Sequence, residues 1–327
     1  MKSFFKFLFS FVLVAAIGMA GVGWVYLSRE LPKPGPLAAD KLVYIQPGSS
    51  VGKITQKLLE EGVIANEWHF RFAAWQQQGK GMMKAGEYLF PGQVSIPGAI
   101  TILQEGNVHQ RQVTIPEGLT SHEIIALLNK TEFAGDPLTA VPSEGSLLPE
   151  TYNYTYDDKR AAIVDRMAQG MKNTLKKYWP KRNADLPLKT PLEVVTLASI
   201  VEKETALTSE RARIAGVFVN RLKRGMPLQS DPTTIYALTK GKGKLGRPLT
   251  RADLETKSPY NTYQVAGLPP GPIANPGEES LIAVLAPEQN DYLYFVANGT
   301  GGHAFARTHD EHNANVAKWR QIQRSRQ

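Results

Sequence analysis

No charged residue interrupts positions 7–27 (FLFSFVLVAAIGMAGVGWVYL). A helix of about 20 such residues matches the hydrocarbon thickness of a bilayer. The next stretch, residues 29–40 (RELPKPGPLAAD), holds three prolines and a glycine and reads as a short, stiff linker. Short apolar runs then alternate with turn residues. Val43-Tyr44-Ile45 is strand-like, and Pro47-Gly48-Ser49-Ser50 supplies a turn and a helix cap. Val51, Ile54, Leu58 and Leu59 then fall on one helical stripe. A second helix is expected over residues 68–78, and short strands at Tyr88-Leu89-Phe90 and Val94-Ser95-Ile96. The order of strand, turn and capped helix returns at Val113-Thr114-Ile115 and residues 121–128. Residues 131–143 lack periodicity and contain Gly135, Asp136, Pro137 and Pro142, so a domain boundary is placed there. Beyond it, Ile163, Met167, Met171 and Leu175 mark an amphipathic helix over 161–178. The expected class is α+β. Residues 1–28 form a stub and transmembrane helix, 29–40 a linker, 41–135 a small α+β domain and 136–327 a larger one.

Charge orients the first segment. Lys2 and Lys6 precede the apolar run, and Trp24 and Tyr26 lie near its far end. Both features put the N-terminus in the cytoplasm and the remainder outside. A cleaved signal peptide would use the small residues at Gly18-Met19-Ala20, but the apolar run continues to Leu27, which favours a retained single-pass anchor. The chain has no cysteine, which rules out disulfides, a thiol nucleophile and an acylated anchor. A formal charge of +8 suggests an anionic partner. Nucleic acid is disfavoured, because no zinc-finger spacing, RNP-like motif or Lys/Arg block is present.

The chemistry centres on one helix. Thr190-Pro191-Leu192-Glu193 is a capping box with proline at the first helical position. With Leu197 at zero and 100° per residue, Val194, Val201 and Ile200 fall at about 60°, 40° and −60°. Glu204 falls at about −20°, inside the apolar stripe, and Glu202 at about 140°, outside it. A carboxyl on an apolar face is costly when ionised, so its pKa rises, as a general acid requires. The bland alternative is that Glu204 pairs with a buried Arg such as Arg213 or Arg221, or sits at a helix end in water.

"LASIVEKETA" (residues 197–206) resembles the signature of the MltG (YceG-like) family of endolytic murein transglycosylases. The stretches EGSLLPETY from Glu144, VFVNRL from Val217, MPLQSDPT from Met226, SPYNTY from Ser258, GLPPGPIANPG from Gly267, YLYFV from Tyr292 and GGHAF from Gly301 resemble further family segments, in family order. The region from residue 41 resembles a LysM-type wall-binding module more loosely. The resemblance implies Glu204 as acid/base, with Glu202 as second candidate. It implies cleavage of MurNAc–GlcNAc bonds to 1,6-anhydroMurNAc ends without a cofactor, in nascent peptidoglycan strands at the bacterial inner membrane. The catalytic domain would be periplasmic, glycan elongation would end there, and penicillin-binding synthases are the implied partners. Gln229, Asn261 and Tyr263, in polar Gly/Pro-bounded loops, are expected to hydrogen-bond sugar, and His303 either to do so or to bond backbone. Asp231 is read as a helix start; facing Glu204 across a cleft, it would instead make a lysozyme-like muramidase. A non-catalytic wall-binding scaffold is the other alternative. No metal is expected, since His303, His309 and His312 lack the spacing of a metal motif.

Overall fold

The computed structural model describes residues 2–325. Helix α1 (Lys2–Glu30) contains the apolar run, with side chains such as Phe9, Val14 and Met19 left uncovered by protein. Its stretch Lys6–Glu30 is 25 residues, or about 37 Å at the helical rise, long and apolar enough to cross a membrane.

The Pro-rich segment after α1 is not a free linker. Leu31 and Leu37 are buried in the core of the first unit. Gly35 N–H donates to Gln93 O (3.1 Å), and Gln93 N–H donates to Leu37 O (2.7 Å). A Cβ at Gly35 would lie 2.2 Å from the Val94 carbonyl oxygen, so only glycine fits. Prolines that looked like a spacer instead hold an extended strap in a packed groove.

The first compact unit runs to Arg111 and takes in Thr155–Asp157. Its elements are β1 (Lys41–Ile45), α2 (Val51–Glu60), α3 (Glu67–Gln77), β2 (Gly86–Phe90) and α4 (Ile96–Glu105). Strands β1 and β2 pair antiparallel, with Lys41 opposite Phe90 and Ile45 opposite Gly86. Ser50 and Asn66 side chains cap α2 and α3 by accepting from Lys53 N–H and His69 N–H. Ile45, Leu58, Phe70, Tyr88, Phe90 and Ile100 fill the core. Val94-Ser95-Ile96, expected as a strand, instead leads into α4, with Ser95 as its N-cap and Ile96 as its first residue. Ser95 accepts from Gly98 N–H, and Pro97 occupies the first turn, where its missing N–H costs nothing.

The second unit comprises Gln112–Tyr154 and Asp158 onward. Its elements, from the strand at which the division falls, are β3 (Arg111–Thr114), α5 (Ser121–Lys130), β4 (Thr151–Tyr154), α6 (Arg160–Tyr178), α7 (Pro191–Glu204), α8 (Thr208–Lys223), α9 (Asp231–Thr239), α10 (Arg251–Leu254), α11 (Glu278–Leu285), β5 (Tyr294–Ala297), β6 (His303–Ala306) and α12 (His309–Ser325). The break at 111/112 precedes the expected one at 135/136. Strand β3 pairs with β4, and Val113, Ile115, Ile124 and Leu128 share a core with Leu147, Tyr154, Ile163 and Met167. Buried Arg160 donates to the Leu128, Thr131 and Gly135 carbonyls, which pins the aperiodic stretch to α6. The second strand–helix repeat therefore belongs to the larger unit.

Helix α7 lies at the centre of that unit. The capping box forms as its sequence indicates, with Thr190 Oγ1 accepting from Glu193 N–H and the Glu193 carboxylate accepting from Thr190 N–H. Every residue from Val194 to Val201 is buried, as α8 and α11 pack on the helix. A helix buried all round has no solvent face. The helical-wheel separation of Glu202 from Glu204 therefore fails, because both carboxylates point into protein.

Candidate active site

Glu204 is the last residue of α7. It is half-buried by surface, but its carboxyl is densely surrounded by protein. Ser230 Oγ donates a hydrogen bond to its Oε1. No Lys, Arg or His forms an ion pair with Glu204 among the described residues. Arg213 binds Glu288 (2.8 Å). Arg221 donates instead to the carbonyls of Leu293 (2.6 Å), Pro227 (3.1 Å) and Leu228 (3.0 Å). Burial pushes the Glu204 carboxyl up to about 7, helped by the nearby Asp231 charge. The Ser230 hydroxyl, His303 and Arg221 act in the opposite direction. The group is thus poised to hold and release a proton near neutrality.

Glu202 has a different setting. It binds Arg211 (3.0 Å) and accepts from Gly277 N–H (3.0 Å), with 5% of its side chain exposed. Arg211 also binds Glu117 (2.9 Å). These partners occupy Glu202 in joining α7 to α8 and to the start of α11.

The residues around Glu204 come from the start of α9, from the loop that carries Tyr263 and from the start of β6. Ser230 stands at the N-cap of α9, yet its side chain makes no cap bond, because the hydroxyl is turned to Glu204. Ser230 is held in place by Thr262 Oγ1, which accepts its N–H (3.1 Å), and by Thr233 Oγ1, which donates to its carbonyl (2.6 Å). Asp231 is exposed and accepts from Tyr263 Oη (2.6 Å). Burial and Asp231 both push the Tyr263 phenol upward, so it stays a donor. His303 opens β6, with Nδ1 2.7 Å from Glu210 Oε2, and Glu210 Oε1 accepts its backbone N–H (2.9 Å). A cavity of about 380 Å³ adjoins this region, lined by Lys203, Pro232, Tyr236, Lys244, Arg247 and Ile273.

The YceG-like family matches residues 43–318. The chain belongs to that family. It is 33% identical to an endolytic murein transglycosylase of Bacillus subtilis, over 85% of this chain and 84% of the relative. It is 30% identical to an endolytic murein transglycosylase of Streptococcus pneumoniae, over 95% of this chain but 65% of that longer protein. A crystal structure of a YceG-like protein from Listeria monocytogenes aligns with a TM-score of 0.53 at 32% identity, over 85% of this chain and 99% of that one.

In this YceG-like chain, several signature segments act as internal ties. Asn275 Oδ1 accepts from Leu147 N–H (2.9 Å), and its Nδ2 donates to Leu119 O, Ser121 Oγ and Glu144 Oε1. Ser199 Oγ accepts from Ile273 N–H (3.0 Å) and donates to Thr196 O (2.7 Å). Asn261, expected at the sugar, is fully buried. Its Nδ2 donates to Leu254 O and Thr256 O, and its Oδ1 accepts from Thr234 Oγ1 and from Tyr263 N–H, which leaves no group for a ligand. Tyr263 and His303 do gather near Glu204. Gln229 precedes Ser230, exposed, with a left-handed φ of 52° and Oε1 accepting from Arg221 (3.2 Å). Ser230 and Glu210 carry no sequence signal beyond an apparent cap and a first-turn acid.

Proposed function

We propose that this chain is a lytic transglycosylase that cuts murein glycan strands internally, with Glu204 as both acid and base. The observation that carries the reading is the enclosed carboxyl of Glu204 with no cation bound to it, in a chain of the YceG-like family. Ser230 occupies Oε1, so the acidic proton sits on Oε2. Glu204 gives this proton to the oxygen joining MurNAc C1 to the next GlcNAc, and the C1–O bond breaks. The C6 hydroxyl of the same MurNAc attacks C1, and the carboxylate takes up its proton. The product is a 1,6-anhydroMurNAc end, with the acid regenerated and no water consumed. An intramolecular nucleophile supplies a high effective concentration. Gln229, Tyr263 and His303 supply polar contacts to the sugar, and the Asp231 carboxylate stabilises positive charge developing at C1.

In this reading α1 anchors the chain in the inner membrane, with the N-terminus cytoplasmic and both units periplasmic. The β1–α2–α3–β2 order supports a LysM-like wall-binding role for the first unit. Cutting strands as they emerge beside penicillin-binding synthases would end their elongation.

The test is product mass from purified peptidoglycan digested with the full chain and with Glu204→Gln. Ends lighter by one water, made only by the native chain, support the proposal. The exposed Asp231 beside Glu204 favours a muramidase as second reading, and reducing MurNAc ends would establish it. Intact strands with both proteins would sink the enzymatic reading in favour of a scaffold.

A further inference from the structure

Helix α3 is apolar on two opposite sides. Phe70, Ala73 and Ala74 are buried in the core of the first unit. Trp68, Phe72 and Trp75 follow one another at helical spacings of four and three residues on the other side, the two tryptophans exposed and Phe72 half-buried against the edge of the same core. Trp68 is 74% exposed and Trp75 63%, and Met82, just beyond the helix, is 86% exposed. Paired outward tryptophans on one stripe mark a surface that water does not normally cover.

The contacts of this helix indicate what covers it. Phe72 meets Trp24 edge-on (6.3 Å), and His69 meets Tyr26 edge-on (6.1 Å). Trp24 and Tyr26 lie on the last turns of α1, and Leu27 and Leu31 beyond them pack into the core of the same unit. Trp and Tyr at the end of a spanning helix sit at the headgroup level. Residues touching them share that depth. Arg71 lies over the Trp68 ring (5.8 Å) and pairs with Glu67 one turn back (2.9 Å).

We propose that the Trp68–Phe72–Trp75 face of α3, with Met82, is embedded in the headgroup layer of the bilayer that α1 crosses. The partner is a lipid surface, and the first unit is seated on it. The inference rests on the reading of α1 as an anchor. It differs from that reading in requiring that α3 itself enter lipid, to the shallow depth usual for interfacial helices.

The absence of native cysteine permits single-thiol reporters on the full chain. Trp75→Cys, Trp68→Cys and Val14→Cys, each labelled with an environment-sensitive fluorophore, are reconstituted into phosphatidylcholine–phosphatidylglycerol vesicles. Quenching is read with lipid brominated at the top or the middle of the acyl chains, and with aqueous iodide. The expected result is deep quenching at position 14, and at 68 and 75 strong quenching by shallow bromine, weak quenching by iodide and a blue-shifted emission. Deep quenching at 14 with iodide-accessible, red emission at 68 and 75 would overturn the inference and leave the anchor standing. No lipid quenching at 14 would remove the anchor, and the inference with it. Two reporters on one face guard against misfolding of either variant.

Discussion

Replacing Glu204 with glutamine removes a titrating group but keeps the shape and an acceptor for Ser230. The folded carboxyl sits at about 7 against an ordinary 4.5. Between these values the folded chain binds more protons than the unfolded one, so stability falls as pH rises through that window. At pH 8 the linkage amounts to ~3 kcal/mol of destabilisation, and at pH 5 to ~1 kcal/mol, counting about 1.4 kcal/mol per pKa unit. The neutral glutamine escapes this cost. Glu204→Gln should therefore abolish cleavage and yet stabilise the fold, by ~3 kcal/mol at pH 8 and ~1 kcal/mol at pH 5. For a unit of this size that corresponds to a Tm higher by about 6–12 °C at pH 8 and by a third of that at pH 5. Urea or thermal unfolding of both proteins at the two pH values measures the difference. A gain equal at both pH values, or no gain at pH 8, would refute the claim that Glu204 is held as an uncompensated acid.

Further outcomes follow from the same geometry. Ser230→Ala removes a hydrogen bond to a charged acceptor, worth ~1.5–3 kcal/mol, so the alkaline limb of the kcat/KM profile near pH 7 should move up by about one unit or more; an unmoved limb would disconnect Ser230 from Glu204. Arg211→Ala strands Glu202 and should cost ~3–5 kcal/mol in urea unfolding at pH 7, whereas a loss under ~1 kcal/mol would show that Glu202 regains water. Asn261→Ala should lower Tm without raising KM for murein, because its amide serves backbone groups; a selective rise in KM would return it to the sugar site. Thr190→Ala should cost ~1 kcal/mol of stability through loss of the α7 cap, and no cost would mean that tertiary packing alone fixes the helix start.

The local signals that were legible in the sequence are those that act within a few residues. The Thr190–Glu193 box, the α6 stripe and the α2 cap all form where the chain pattern indicates. What failed depends on distant segments. The stripe argument placed Glu202 outside because it assumed one wet face, while residues 194–201 of α7 are buried all round and Glu202 is held by Arg211. Asn261 looked like a sugar ligand because polar loop residues do, yet irregular backbone also needs side-chain donors and acceptors. The 29–40 segment read as a spacer, since nothing local reveals that Leu31 and Leu37 find a core. Asp231 does start a helix, as read, but nothing local reveals that the hydroxyl of Ser230 before it serves Glu204, 26 residues earlier.

The ties of Asn275 span 128 residues to Leu147 and 156 to Leu119. Such contacts are slow to form and require most of the unit to be present. A chain delivered from its N-terminus thus presents α7 long before the segments that enclose its end have arrived. Synthesis from the N-terminus therefore leaves the surroundings of Glu204 incomplete until His303, 99 residues further along the chain, has been made.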